Sequence, residues 1–126
     1  MQIDAVDHAA IKTAKLEETR VFFVEALGLK VGPRPRFDFR GYWLYAGGRD
    51  IVHLVETETP KAPSSVAAIN HIALRVADFE ATLADLKTRG IAFSCETTPG
   101  GELRELYVID PNGVRIELNA PGATEA

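Results

Sequence analysis

Ile69-Asn70-His71-Ile72-Ala73-Leu74-Arg75-Val76 alternates in character: Ile72, Leu74 and Val76 fall on one side, His71, Ala73 and Arg75 on the other. A period of two is that of a strand buried on one face, so the run predicts a strand over 69–76 with His71 opposite the core. The same arrangement occurs in Val6-Asp7-His8-Ala9-Ala10-Ile11-Lys12, where His8, Ala10 and Lys12 share one face and Ala9 and Ile11 the other. His8 and His71 are 63 positions apart, half of a 126-residue chain. A strand carrying a polar histidine, met twice at that spacing, predicts a duplicated module.

The segment after each strand supports the duplication. In the first half Leu16, Phe22, Phe23, Ala26 and Leu27 form an apolar helical face that ends at Gly28, the residue type suited to a helix C-terminus. In the second half Phe79, Leu83 and Leu86 form the matching stripe, with Asp78 placed as N-cap and Gly90 as terminator. The halves also end alike, Gly48-Arg49-Asp50-Ile51-Val52-His53-Leu54 against Gly113-Val114-Arg115-Ile116-Glu117-Leu118. The offset grows to 64 between His53 and Glu117, a one-residue insertion or deletion.

Taken in order, the first module reads as a strand over 5–12, a helix over 16–27 and a short strand over 29–32. Pro33-Arg34-Pro35-Arg36 breaks that strand, because each proline fixes φ and lacks a donor. A strand over 42–46, the turn Gly47-Gly48-Arg49-Asp50 and a strand over 51–56 complete it. Residues 57–65 hold two prolines and read as a linker. The second module repeats the order with strands 69–76, 91–95, 104–109 and 114–119 and a helix over 79–89. Thr97–Gly101 reads as a loop, Asp110-Pro111-Asn112-Gly113 as a turn, and the tail from Pro121 as a fraying end.

The chain is long enough to bury a core without disulfides or metals. A net charge of −4, with no long run of lysine and arginine, argues against nucleic acid as a partner. Cys95 is the sole cysteine, so no intrachain disulfide is possible; it reads as a small buried residue, and a reducing compartment fits. No leader and no run of membrane-spanning length is seen. The expectation is a soluble, cytoplasmic protein with a small-molecule substrate and no membrane partner.

All three histidines, His8, His53 and His71, together with Glu117, are predicted mid-strand and opposite an apolar face. Singly, each has an ordinary explanation: a histidine satisfied in the core or at the surface, a glutamate paired with Arg75 or Arg115. Burying several such groups side by side is costly unless something pairs them. Three imidazoles and a carboxylate converging on one cavity would bind a divalent metal: Zn, Ni, Co, Mn or Fe(II). Arg34, Arg36 and Arg40 surround the first-module loop, where a guanidinium fork could hold an anionic substrate or simply face water. Trp43 and Tyr45, two apart, would share a strand face lining the cavity or the core.

The two histidine strands, the helix ending Ala26-Leu27-Gly28-Leu29, and Asp110-Pro111-Asn112-Gly113-Val114-Arg115-Ile116-Glu117-Leu118 resemble the vicinal oxygen chelate superfamily. That group includes glyoxalase I, bleomycin-resistance and fosfomycin-resistance proteins and extradiol dioxygenases. The resemblance spans roughly residues 5–119. It implies an α+β fold of two βαβββ modules forming a curled eight-stranded mixed sheet within a single domain, module 1 over 5–56 and module 2 over 69–119. It places ligands on the first and last strand of each module, hence metal ligands His8, His53, His71 and Glu117, with one divalent metal per site. Glu117 and His53 are then the expected catalytic residues, and Arg36, Trp43 and Tyr45 the expected substrate-binding ones.

Glyoxalase I carries glutamate where His53 stands, which places His53 as a fourth ligand or a base near the metal. The reaction class implied is lyase or isomerase chemistry on a substrate chelated through vicinal oxygens. Thiol transfer to an epoxide and ring-cleaving dioxygenation are the alternatives within the group, and a metal-free, bleomycin-resistance-like binding protein the alternative outside catalysis. A homodimer is expected, with the modules paired either within a chain or across the dimer.

Overall fold

A computed structural model describes residues 1–97, 99–100 and 104–120. The chain divides into two compact units, Met1–Lys61 and Ala62–Ala126. Parts of the loop expected over 97–101 and the whole tail from Pro121 lie outside the described residues.

The first unit runs β1 (Ala9–Thr13), α1 (Leu16–Val21), a π-helical turn (Phe22–Ala26), β2 (Lys30–Gly32), β3 (Gly41–Ala46) and β4 (Arg49–Glu56). Its sheet has the order β1-β4-β3-β2; β1 is parallel to β4 and the other pairs are antiparallel. Ile11, Leu16, Phe23, Leu29, Leu44, Val52 and Leu54 form its buried apolar set. Thr13 and Thr19, also buried, join strand to helix through a 3.1 Å hydroxyl contact. Gly47 and Gly48 both have positive φ, as a tight two-residue hairpin requires.

The second unit repeats the plan with β5 (Ile72–Arg75), α2 (Phe79–Arg89), β6 (Ser94–Thr97), β7 (Arg104–Ile109) and β8 (Arg115–Asn119) in the order β5-β8-β7-β6, β5 parallel to β8. Leu106, Val108, Ile116 and Leu118 are buried from the sheet, Phe79 and Leu86 from the helix. The Asp78 side chain accepts the Ala81 N–H at 2.8 Å, and Gly90 closes α2 in the left-handed region. In the turn before β8, Asp110 accepts from the backbone N–H groups of Asn112 and Val114, each at 2.8 Å. Ser64 accepts the Arg115 N–H at 2.8 Å and donates to Gly113 O at 3.1 Å, which fastens the end of the expected linker to this turn.

The α+β class and the two βαβββ modules are as expected, and hydrogen bonding resolves the eight strands into one four-stranded sheet per module. Several local expectations are corrected. β1 begins at Ala9 and β5 at Ile72, so His8 and His71 stand just ahead of their strands rather than mid-strand. The parallel ladders with β4 and β8 start only at Ala9↔Val52 and Ile72↔Ile116. The first helix widens after Val21: Leu27 N–H bonds Phe22 O at 3.3 Å, and Leu29 N–H reaches Phe23 O at 3.0 Å. This extra residue per turn brings both Phe23 and Leu29 into the core, a shift that apolar spacing does not register. β6 lies later than expected, and Cys95 is exposed because β6 is an edge strand with all four residues open to solvent. A bulge between Leu44 and Tyr45 separates Trp43 from Tyr45: Trp43 faces His53, while Tyr45 faces Asp50 and its hydroxyl bonds Pro33 O.

Gly41 begins β3 where a side chain has no room: a Cβ there would lie 2.1 Å from the backbone oxygen of Leu54. Gly41→Ala is expected to cost about 1–3 kcal/mol, read as a lower denaturant midpoint. A midpoint equal to that of the wild type would show that β3 and β4 can separate there freely.

Candidate functional site

In the first unit, the register sets Ala10 and Trp43 on either side of His53. The His53 ring is buried between two others: Trp43 stacks on it at 4.0 Å with 6° between planes, and His8 at 3.7 Å with 17°. His53 Nε2 lies 2.7 Å from Asp50 Oδ2, and this bond holds the Asp50 carboxyl below the ordinary carboxylate range. His8 Nδ1 lies 2.7 Å from Asp7 Oδ2.

In the second unit, Ala73 and Tyr107 flank Glu117 in the same way. Glu117 is buried; its Oε1 is 3.4 Å from His71 Nε2 and accepts the Tyr107 hydroxyl at 3.0 Å. Its Oε2 accepts the Asn119 amide N–H at 2.6 Å. The Tyr107 hydroxyl also reaches Glu105 Oε2, and the ring sits edge-on to His71 at 5.8 Å. Burial, with Glu105 and Glu117 beside it, pushes the Tyr107 phenol well above its ordinary value. Arg115 stacks 3.7 Å over the Tyr107 ring and points to Glu96 and Asn70, so it does not pair with Glu117.

The duplication is therefore visible in hydrogen-bond register. Ala10 and Ala73 face His53 and Glu117 on the parallel side, Trp43 and Tyr107 on the antiparallel side, and His8 and His71 stand two residues before their alanines. The residue before each histidine holds its Nδ1: Asp7 for His8, and Asn70, at 2.7 Å, for His71. Both partners accept through oxygen, so a neutral ring carries its hydrogen on Nδ1 and presents Nε2 as a bare lone pair. A ring nitrogen pinned from behind is how ligating histidines are usually oriented. His53 is pinned by its other nitrogen, Nε2, and offers Nδ1.

The His71–Glu117 pair has the spacing of two ligands on a divalent ion. Donors on a tetrahedral ion with bonds of about 2.1 Å lie about 3.4 Å apart, which is the His71–Glu117 separation. Each unit brings two of the four expected donors together, and within neither do three His, Cys, Asp or Glu side chains gather round one point among the described residues. Of the expected substrate residues, Trp43 joins the His8–His53 stack, Tyr45 turns to Pro33, and Arg36 is exposed. Arg34 and Arg40 are engaged locally, Arg34 on the Phe39 and Gly41 carbonyls and Arg40 on Glu56. Sequence reasoning passed over Tyr107, Asp50 and Asn119. The offset of 64 that links His53 to Glu117 also links Trp43 to Tyr107, so the repeat itself carried that signal.

No helix among the described residues is long and apolar enough to cross a membrane. No curated protein matches the chain. Among solved structures, a Bacillus anthracis protein described as of the glyoxalase family is 25% identical, with a TM-score of 0.79 over 95% of this chain and 97% of that one. TnmS3, an antibiotic binding protein from Streptomyces sp. CB03234, is 27% identical, with a TM-score of 0.69 over 97% and 99%. A variant of the fosfomycin resistance protein FosX from Listeria monocytogenes, in complex with Mn(II) and 1S,2S-dihydroxypropylphosphonic acid, shares the fold at 16% identity, with a TM-score of 0.72 over 94% and 93%. The profile of one family matches residues 5–118. The chain belongs to the glyoxalase/bleomycin resistance protein/dioxygenase superfamily.

Proposed function

We propose that this chain is a metal-dependent, glyoxalase-like enzyme with lyase or isomerase chemistry on a small substrate bearing two neighbouring oxygens. His8, His53, His71 and Glu117 are the proposed ligands of one divalent ion per site, drawn from Zn, Ni, Co, Mn and Fe(II). The observation that carries the reading is the pair His71 Nε2 and Glu117 Oε1, two lone-pair donors 3.4 Å apart with the hydrogen of His71 held away on Asn70. A proton or a metal cation between them would relieve the repulsion of the two facing lone pairs. Mn(II) in the FosX complex supports the second choice.

A bound divalent ion supplies Lewis-acid polarisation of the substrate oxygens. Glu117, whose two oxygens are separately bonded, is the proposed ligand that also exchanges a proton with the substrate. His53, backed by Asp50, is the second group able to bind the ion or take a proton. Trp43 offers an aromatic surface beside it, and Arg36 is the proposed contact for an anionic group; Tyr45, turned to Pro33, would reach a substrate only by giving up that bond. A single domain of two modules, assembling as a homodimer in a reducing, cytoplasmic setting, completes the proposal. Lone Cys95 supports the setting.

A second reading has its own support. Three rings, His8, His53 and Trp43, stack in succession, and TnmS3 is an antibiotic binding protein. A metal-free binding protein would use that stack as an apolar platform.

Metal analysis of protein purified without chelator, together with titration of each of the five ions, separates the two. Close to one ion per site is expected, with affinity lost in His71→Ala. Folded wild-type protein that binds none of the ions would remove the enzyme reading in favour of the platform.

His53 is tested separately. As a fourth ligand, His53→Ala should weaken metal affinity about as much as His71→Ala, and this is the expected result. Unchanged affinity with turnover lower by about 10²–10⁴-fold would instead make His53 a base.

A further inference from the structure

Glu117 is the proposed donor whose both oxygens are already engaged by neutral groups of its own unit. Tyr107, across the antiparallel β7–β8 pair, donates to Oε1 at 3.0 Å. Asn119, two residues along β8 and therefore on the same face, donates to Oε2 at 2.6 Å. A carboxylate has about four lone-pair positions. Asn119 takes one on Oε2 and Tyr107 one on Oε1, and the Oε1 position toward His71 Nε2 stays open at 3.4 Å.

We infer that Tyr107 and Asn119 are positioning residues that set Glu117 as a one-oxygen metal ligand, with Oε2 tied to Asn119 and Oε1 aimed at the ion that His71 shares. The inference rests on the metal reading above and adds to it the residues that fix the coordination mode. Tyr107 is itself fixed: its ring is buried, and the Arg115 guanidinium covers it at 3.7 Å. Its one hydroxyl hydrogen faces two carboxylates, Glu105 and Glu117, and can serve only one at a time. Glu105, at 2.5 Å, therefore competes with Glu117, at 3.0 Å, for that hydrogen, and removing its charge weakens its hold on the hydroxyl. The first unit has no counterpart of this clamp. At the matching positions His53 meets the Trp43 ring face and Val55, neither of which donates to a carboxylate.

The test is isothermal titration of the full chain with Mn(II) and with Zn(II), alongside circular dichroism and thermal unfolding of each metal-free variant. Tyr107→Phe keeps the ring under Arg115 and removes only the hydroxyl. Asn119→Ala removes the other donor. Each is expected to weaken metal affinity by about 10–100-fold while the metal-free unfolding temperature moves little. Glu105→Gln is expected to leave affinity at the wild-type level or raise it. Wild-type affinity in both Tyr107→Phe and Asn119→Ala would overturn the inference. So would equal weakening in Glu105→Gln and Tyr107→Phe, because local negative charge rather than carboxylate orientation would then govern binding. Should one clamp variant fail to fold, the other decides. Wild-type protein that binds none of the five ions of the proposed function would fail that reading first, an outcome distinct from normal binding that the variants leave unchanged.

Discussion

The parallel pairing of the first and last strand in each module is the constraint on which the rest depends. A parallel pair needs a crossover, which α1 with its π-helical turn provides in one unit and α2 in the other. The pairing puts Ala10 beside His53 and Ala73 beside Glu117. Those alanines are small, so the histidine two residues earlier can approach the donor on the neighbouring strand. A bulky residue at either position would stand between the two donors. Burial of Ile11 and Val52 in one unit, and of Ile116 and Leu118 in the other, holds the pairing in register, because a slip of one residue would send every donor to the apolar face.

The two units apply the same geometry to different chemistry. In the first, the donor on the last strand is an imidazole sandwiched between two rings, and its polar partner is a carboxylate three residues back along the chain. In the second, the donor is a buried carboxylate whose neighbours supply hydrogen bonds through Tyr107 and Asn119. A buried imidazole packs its faces against aromatic rings and needs an acceptor for its N–H. A buried carboxylate needs donors. The substitutions Trp43 against Tyr107 and Val55 against Asn119 at repeat-equivalent positions follow that difference in demand.

Much of this was legible from residue order alone. Alternation around His71 and around His8, the glycines at 28 and 90 and the near-constant offset of the halves point to two βαβββ modules and make His8, His53, His71 and Glu117 the candidates among the chain's polar residues. α2 and β7 have the expected bounds, since Asp78 and Gly90 cap one and the turn at Asp110 limits the other. These are local signals: a cap, a turn residue and a period act within a few positions of where they are read.

Other features required the chain to be packed. Parallel pairing, and so the true beginnings of β1 and β5, depends on β4 and β8, about forty residues away in each module. The π-helical turn follows from fitting Phe23 and Leu29 into one core. The bulge that parts Tyr45 from Trp43 arises where β3 and β4 fall out of step, and Cys95 is open because β6 lies at an edge. Above all, hydrogen-bond partners across strands, Tyr107 to Glu117 and His71 to Glu117, are set by register. By itself the sequence determined which residues carry donors and how the modules repeat; tertiary structure decided which donors meet and through which atoms, because side-chain contact between strands depends on pairing that no local pattern encodes.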